Sequence, residues 1–380
     1  MKFRTRSIHV GNSKDPETGA VVPPIHVAST FVQPEAGEWG EFDYSRSGNP
    51  TRRNLEATMT SLEGGVGALA FATGMAATHC VTMLCQSGDK IVAGADIYGG
   101  TYRLFHKIVT QAGVSTTLVD SSDLEKLSAA VTDDTRIVWI ESPGNPLLSI
   151  TDIASVARIA HQHGAILAVD STFATPALSR PLEHGADIVM HSATKFLGGH
   201  SDAMGGILVA RVQDTLDQLY FRQNATGATL SSFDCFLISR GIKTLDLRIR
   251  AQSASALEIS SRLAADSRVA RVFYPGLPSH PGHELAAGQM DGAYGGVVSF
   301  EVAGDFACAK KVVDSTELFQ LAVSLGAVES LIEQPAAMSH ASYDAQDRAL
   351  NGITDSLIRI SVGLEDLEDL WDDLQQALSQ

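Results

Sequence analysis

Apolar residues along this chain fall into two textures. From about residue 51 to 245, short apolar runs alternate with stretches in which apolar positions recur every three or four residues. A short run bounded by Gly, Asp or Ser reads as a buried strand, and the three-to-four spacing as a helix packed by one face. Strands are predicted at 68–72, 90–93, 115–119, 137–140, 166–169, 187–190 and 206–209. Helices are predicted at 51–62 and, most clearly, at 152–163. Strands alternating with helices imply an α/β unit, a largely parallel or mixed sheet with helices on both faces. After about 245 the texture changes: a long helical stretch, 245–265, precedes shorter strands at 269–274, 296–302 and 357–361, with helices between and after. This predicts a smaller α+β unit. Residues 1–50 carry Pro16, Pro23, Pro24, Pro34 and Pro50 and predict an irregular arm lying on its own domain or a neighbour. The expected division is 1–50, 51–245 and 246–380.

Composition narrows the function classes. The 380 residues are 44% hydrophobic and 19% charged, enough for a large core without metal or disulfide help. A net charge of -16 without a basic run argues against nucleic acid, whose binders neutralise phosphate. The acidic stretch 365–373 is expected to be a solvated helix face. Cys80, Cys85, Cys235 and Cys308 form no C-x-x-C and suit a reducing compartment. The N-terminus lacks the apolar run of a signal peptide. The most membrane-like stretch, 67–84, contains Thr73, Gly74, Thr78 and His79 and reads as a strand followed by a buried helix. A cytoplasmic protein with no membrane partner is expected.

Some apparent motifs carry little. Gly65-Val66-Gly67-Ala68-Leu69-Ala70 fits G-x-G-x-x-A, but a helix precedes it and a strand follows, the reverse of a dinucleotide site. His161 with His163, and His280 with His283, lack a supporting cysteine or acid and read as ordinary surface or core histidines.

Three segments are more informative. At Ala72-Thr73-Gly74-Met75 a strand gives way to a helix through a glycine. The free N–H groups and dipole of a helix start can bind an anion, although most helix starts bind nothing. Asp170 closes the apolar run 165–169 and is either a cap or ion-pair partner, or a carboxylate facing a cationic ring nitrogen. Lys195 follows a strand in His191-Ser192-Ala193-Thr194-Lys195-Phe196. A loop lysine is usually a solvated charge, but an apolar setting frees the amine to act as nucleophile and base. Ser192 and Thr194 add hydroxyls that a phosphate can use. Pyridoxal phosphate fits these pieces together; each alone has a structural reading.

At these residues the chain resembles the cystathionine γ-synthase and γ-lyase family of pyridoxal phosphate enzymes. The matching segments are Tyr44-Ser45-Arg46-Ser47-Gly48-Asn49-Pro50-Thr51, Tyr98-Gly99-Gly100-Thr101, the 192–195 loop, Gly199-His200-Ser201-Asp202, Tyr274-Pro275-Gly276-Leu277-Pro278-Ser279-His280, Ser324-Leu325-Gly326, Glu329-Ser330-Leu331 and Arg359-Ile360-Ser361-Val362-Gly363-Leu364-Glu365. The resemblance implies an aspartate aminotransferase-type fold, fold type I, and a homo-oligomer, a dimer of dimers. It implies that Lys195 carries the cofactor and shuttles protons, that Asp170 meets the ring nitrogen, and that Gly74, Met75, Ser192 and Thr194 hold the phosphate. Tyr98 would stack on the ring and assist proton movement, and Asn145 would lie near the ring oxygen and the substrate. Tyr44 and Arg46 would reach the phosphate of an adjacent subunit, Tyr44 also touching substrate. Arg359 would clamp the substrate α-carboxylate, and Glu329 would lie near a distal amine.

The implied chemistry is γ-elimination or γ-replacement on small amino acids, leaning to cystathionine γ-lyase, with cystathionine γ-synthase as the alternative. O-acetylhomoserine sulfhydrylase and methionine γ-lyase fit less well, the latter because Gly100 stands where those enzymes place Cys. A non-enzymatic binding protein fits poorly with Lys195, Asp170, Tyr98 and Arg359 all present. Gly144 and Ser171 depart from the Thr and Asn common in the family.

Overall fold

The strands predicted between 68 and 209 form one sheet, and all but one edge strand are runs rich in Val, Ile, Leu and Ala that bury both faces; that edge strand, Ser115–Val119, is only partly buried. The structure, a computed structural model, describes residues 1–341, 343, 348 and 351–380. Its first sheet contains β1 (Gly67–Phe71), β2 (Lys90–Gly94), β3 (Ser115–Val119), β4 (Thr135–Glu141), β5 (Ile166–Asp170), β6 (Ile188–Ser192) and β7 (Gly206–Ala210). The spatial order is β1-β7-β6-β5-β4-β2-β3. The strands from β6 through β3 pair in parallel, and β7 runs antiparallel to both its neighbours. In register, Glu141 lies beside Asp170, Asp170 beside Met190, and Ser192 beside Gly206. The strand ends therefore gather one row of polar side chains, where open α/β sheets bind ligands.

A second sheet contains β8 (Val269–Phe273), β9 (Val297–Val302), β10 (Gln320–Leu321), β11 (Leu331–Glu333) and β12 (Leu357–Ser361), ordered β10-β11-β12-β9-β8. Only β10 and β11 pair in parallel. The helix Leu245–Ala264 packs against β8 and β9, and a single apolar cluster runs from Leu55 through Phe196 and Ile249 to Ile360. The two sheets thus share a core. Ser299 of β9 donates to the Pro146 carbonyl at 2.6 Å, tying the second sheet to the loop after β4.

Local chemistry sets the element ends. Asn49 accepts N–H bonds from Thr51 and Arg52 and caps the helix Pro50–Glu63, whose first residue is proline. Gly64, at φ 77°, ends it in the left-handed region that favours glycine. The stretch 67–84 becomes β1 and the helix Gly74–Thr82. Among the described residues, no helix is long and apolar enough to cross a membrane.

Three expectations need correction. The arm is not wholly irregular: Phe3–His9 is a helix ahead of the first proline, held by Phe3 against the core, by Arg4 on Asp246 and by Arg6 on the Ser61 carbonyl. The strands β10 and β11 went unread, because two and three residues are too few to show a period. The acidic segment 365–373 is not solvated throughout. Asp373 is buried, which pushes its carboxyl up, but it accepts the N–H groups of Glu317, Leu318 and Phe319, and with the Gln376 amide these together hold it below the ordinary range.

Candidate active site

A cavity of about 400 Å³ opens where the two sheets meet. Its walls include Gly74, Met75, Tyr98, Asn145, Asp170, Ser192, Thr194, Lys195 and Arg359, nine of the residues singled out from sequence. Their local settings explain what the cavity can bind.

Lys195 sits on a tight turn after β6. Its N–H reaches the Ser192 carbonyl, the Gly198 N–H the Ala193 carbonyl, and the Gly199 N–H the Lys195 carbonyl at 2.8 Å. Arg248 fixes the turn from behind, donating to the carbonyls of Phe196 and Gly241 at 2.8 Å each. A side chain at Gly199, φ 73°, would run into that guanidinium, its Cβ 2.0 Å from Arg248 Nη1. The lysine amine donates to Ser324 Oγ at 2.6 Å. Burial, and then the charge of Arg359, bring its pKa down to about 8, against an opposing pull from Glu333. Ser324 itself has φ 112°, a costly conformation for a residue with a side chain, held beside the Lys195 amine.

Asp170 ends β5, and its Oδ1 accepts the Thr172 N–H at 2.9 Å. Desolvation pushes its carboxyl up; the Thr172 hydrogen bonds and His191 oppose this. Glu141, beside it at the end of β4, is pushed well above the carboxylate range, first by burial and then by Asp170. Both its oxygens accept the Tyr98 N–H at 3.0 Å. Glu141 was missed from sequence, although it offers the same signal as Asp170, an acid closing an apolar run.

At the start of the helix Gly74–Thr82, the Thr73 hydroxyl accepts the Ala76 N–H and the Thr73 carbonyl the Ala77 N–H. No acceptor among the described residues serves the N–H groups of Gly74 and Met75. A Cβ on Gly74 would approach Ser192 Oγ at 3.2 Å, so helix start and lysine loop form one cradle. Thr194 Oγ1 accepts the Gly205 N–H at 3.0 Å.

Arg359, from β12, is buried. It donates to Asn145 Oδ1 at 2.8 Å and the Ser324 carbonyl at 3.0 Å, and pairs with Glu333 at 2.9 Å. Glu333 was also missed from sequence.

Three residues named from sequence do not line the cavity. Tyr44 is half exposed, with the Arg46 guanidinium 5.3 Å from its ring centre, and Arg46 donates to Asn224 at 3.3 Å. Glu329 accepts the Ser201 hydroxyl. The histidines set aside earlier find ordinary partners: His161 on Asp187, His163 on Asp133, and His283 on the Pro275 carbonyl. Two departures also find settings. A Cβ on Gly144 would lie 2.3 Å from Asp96 Oδ2, and Ser171 Oγ is buried without a hydrogen-bond partner.

Pyridoxal phosphate requires an amine freed from its proton, a carboxylate for its ring nitrogen and donors for its phosphate. The pushed-up Asp170, short of a cation, and the unserved N–H groups of Gly74 and Met75 meet the last two needs. A two-sheet α/β molecule with these groups at its strand ends is a fold type I pyridoxal phosphate enzyme. The model of the "Cys/Met metabolism PLP-dependent enzyme" family matches residues 4–379, and the chain belongs to that family. It is 48% identical over 380 residues to a cystathionine gamma-lyase of Dictyostelium discoideum, covering 100% of this chain and 98% of the relative. It is 48% identical over 378 residues to a cystathionine beta-lyase of Lactococcus lactis subsp. cremoris, covering 100% and 99%. The structure of a cystathionine gamma synthase from Xanthomonas oryzae pv. oryzae, in complex with aminoacrylate and cysteine, superposes with a TM-score of 0.97 at 43% identity, covering 100% of this chain and 98% of that one. The chain is thus a transsulfuration enzyme that uses pyridoxal phosphate and acts on amino acids.

Proposed function

We propose that this enzyme is a cystathionine γ-lyase, converting L-cystathionine to L-cysteine, 2-oxobutanoate and ammonia. The observation that carries the reading is the facing of Lys195 and Arg359 across one cavity through Ser324. A fixed guanidinium seats an α-carboxylate as a fork, and a desolvated amine then stands over the α- and β-carbons whose protons must leave. Met204, Val323 and Met338 line the same cavity and suit a thioether chain.

In this reading Asp170 faces the ring nitrogen, and Gly74, Met75, Ser192 and Thr194 hold the phosphate. Tyr98 stacks on the ring, and Asn145 stands by the ring oxygen while orienting Arg359. The bound cofactor supplies an electron sink at the α-carbon. Lys195 holds and returns the mobile protons, with Tyr98 assisting. Tyr44 and Arg46 complete the phosphate site of a second subunit, which accounts for their place away from the cavity of their own chain. That makes the working unit at least a dimer, with 1–50 as the shared arm, 51–245 as the cofactor domain and 246–380 as the smaller domain. Glu329 receives the distal ammonium of cystathionine. The four free thiols, three of them wholly or partly buried, suit the cytoplasm.

The lean to elimination over replacement rests on the 353–365 segment. The superposition on a γ-synthase favours a second reading, replacement at O-succinyl- or O-acetylhomoserine by cysteine. A Cβ at Gly100 would meet Tyr98 Cε1 at 2.4 Å, which weighs against a methionine γ-lyase reading that places Cys there.

The deciding experiment compares catalytic efficiency on cystathionine alone with that on O-succinylhomoserine plus cysteine. The first should release 2-oxobutanoate rapidly and the second little cystathionine; the opposite ranking makes the enzyme a synthase. Pyruvate as the keto acid product would make it a β-lyase.

A pH prediction follows from Lys195. Only the uncharged amine attacks, and its pKa is held down at about 8. The rate at which cofactor-free protein takes up pyridoxal phosphate should therefore rise with pH to a midpoint near 8 and level off above. A midpoint near that of a solvated lysine, ~10.4, would refute the desolvated setting.

A further inference from the structure

Glu333 and Arg359 stand directly opposite each other on the antiparallel pair β11–β12. Their side chains are 1% and 4% exposed. The arginine spends Nη1 on Asn145 and Nη2 on Ser324 and Glu333, and its Nε has no hydrogen-bond partner. Glu333 shares one oxygen between Arg359 and the Ser339 hydroxyl, 2.5 Å away, and its other oxygen is buried without a partner. Ser339 lines the cavity and touches His340 Nδ1 at 2.9 Å; His340 Nε2 lies 3.2 Å from the Asn145 carbonyl. The chain of contacts thus starts at Arg359 and returns to Asn145, which itself holds Arg359. Burial and Arg359 keep the pKa of His340 down at about 4, leaving that ring uncharged at neutral pH.

We propose that Glu333 is a positioning residue for the substrate's carboxylate: it orients Arg359 toward the cavity and, as a carboxylate already on that guanidinium, moderates its grip on an incoming one. The proposal rests on Arg359 being the substrate clamp. An arginine buried without a counter-charge would hold any carboxylate tightly, product included. Arg359 with Glu333 attached is orientated but only partly neutralised, because one Nη1 proton and the Nε proton remain for a ligand. The charge of Glu333 also reaches Lys195, where it works against Arg359. The other titratable groups lining the cavity are Tyr98, Arg103, Glu141 and Asp170.

The test uses the holoenzyme and three variants, Glu333→Gln, Glu333→Ala and Arg359→Lys. The readouts are inhibition by acetate, a carboxylate without an amine, and the pH midpoint of the bound cofactor's visible absorbance, which reports the proton at Lys195. Glutamine keeps an acceptor for Nη2 but removes the charge. Glu333→Gln should tighten acetate about five-fold or more and move the absorbance midpoint to lower pH. Alanine also removes the orienting contact, so Glu333→Ala should weaken acetate while moving the midpoint the same way. An acetate constant and a midpoint both unmoved in Glu333→Gln overturn the proposal, as does acetate weakened alike in both variants. If Arg359→Lys leaves acetate binding intact, it is the clamp reading that fails. Should Glu333→Gln not fold, Glu333→Asp keeps the charge at shorter reach and must weaken acetate with the midpoint unmoved; a moved midpoint overturns the proposal.

Discussion

Lys195→Ala is expected to cut turnover of cystathionine by at least ~10⁴-fold and to abolish the cofactor's visible absorbance, while the protein stays folded. The loss in rate follows from position. The amine has a pKa of about 8, near neutrality, and lines the same cavity as Asp170 and Glu141. Among the described residues beside it, the Arg359 guanidinium is engaged by Asn145, Ser324 and Glu333. The fold should survive because the charged amine is disfavoured where it sits. Its contact with Ser324 is a single hydrogen bond, and the turn is held by backbone contacts and by Arg248, all of which remain. Absorbance spectra after dialysis, steady-state kinetics and a thermal melt check the three parts. Full turnover in the variant would sink the assignment.

Arg359→Ala should be the more damaging change to the molecule as a whole. It removes the proposed carboxylate clamp and leaves Glu333 buried with an uncompensated charge. Breaking such a pair from one side costs about 3–5 kcal/mol, because the abandoned ion keeps its desolvation penalty. The variant should lose that much in chemical denaturation and show a substrate KM raised by about two orders of magnitude, equivalent to a lost charge-assisted fork at ~1.4 kcal/mol per ten-fold. The pH dependence should move as well. Arg359 pushes the Lys195 amine down, so its loss lets that pKa rise, and activity on the acid side should fall away at higher pH than in the parent. Arg359→Met combined with Glu333→Leu separates the two effects. Replacing both ions by apolar side chains should restore most of the stability and none of the activity. A double variant as unstable as the single one would show that packing, not charge, dominates.

How far the site could be read in advance depended on where its parts lie in the chain. Asp170 and Lys195 were legible because each follows an apolar run long enough to mark a strand end. Glu141 has the same form, an acid closing the apolar run of β4, and the same local signal marks it. Gly74 and Met75 were legible as a helix start, though nothing local says that their N–H groups stay unserved. Glu333 was out of reach. Its strand is three residues long, and its partner lies on the next strand of the sheet, 26 residues on, as 359 less 333. Ser324 has no local mark of its role either, because its partners Lys195 and Arg359 are distant in the chain.

The sequence by itself determined the strand-and-helix alternation, the acids and amine at the strand ends, and through its motifs the family and the cofactor. Those properties are written in periodicity and in short ordered segments, which need no knowledge of the partner across space. The tertiary structure alone decided that Arg359, from the second sheet, and Ser324, from the loop between β10 and β11, face Lys195 across one cavity. It alone decided that a second buried carboxylate, Glu333, already sits on the arginine. Burial and pairing are sums over neighbours distant in the chain, and the pKa values and charge balance that make the site chemical depend on those sums.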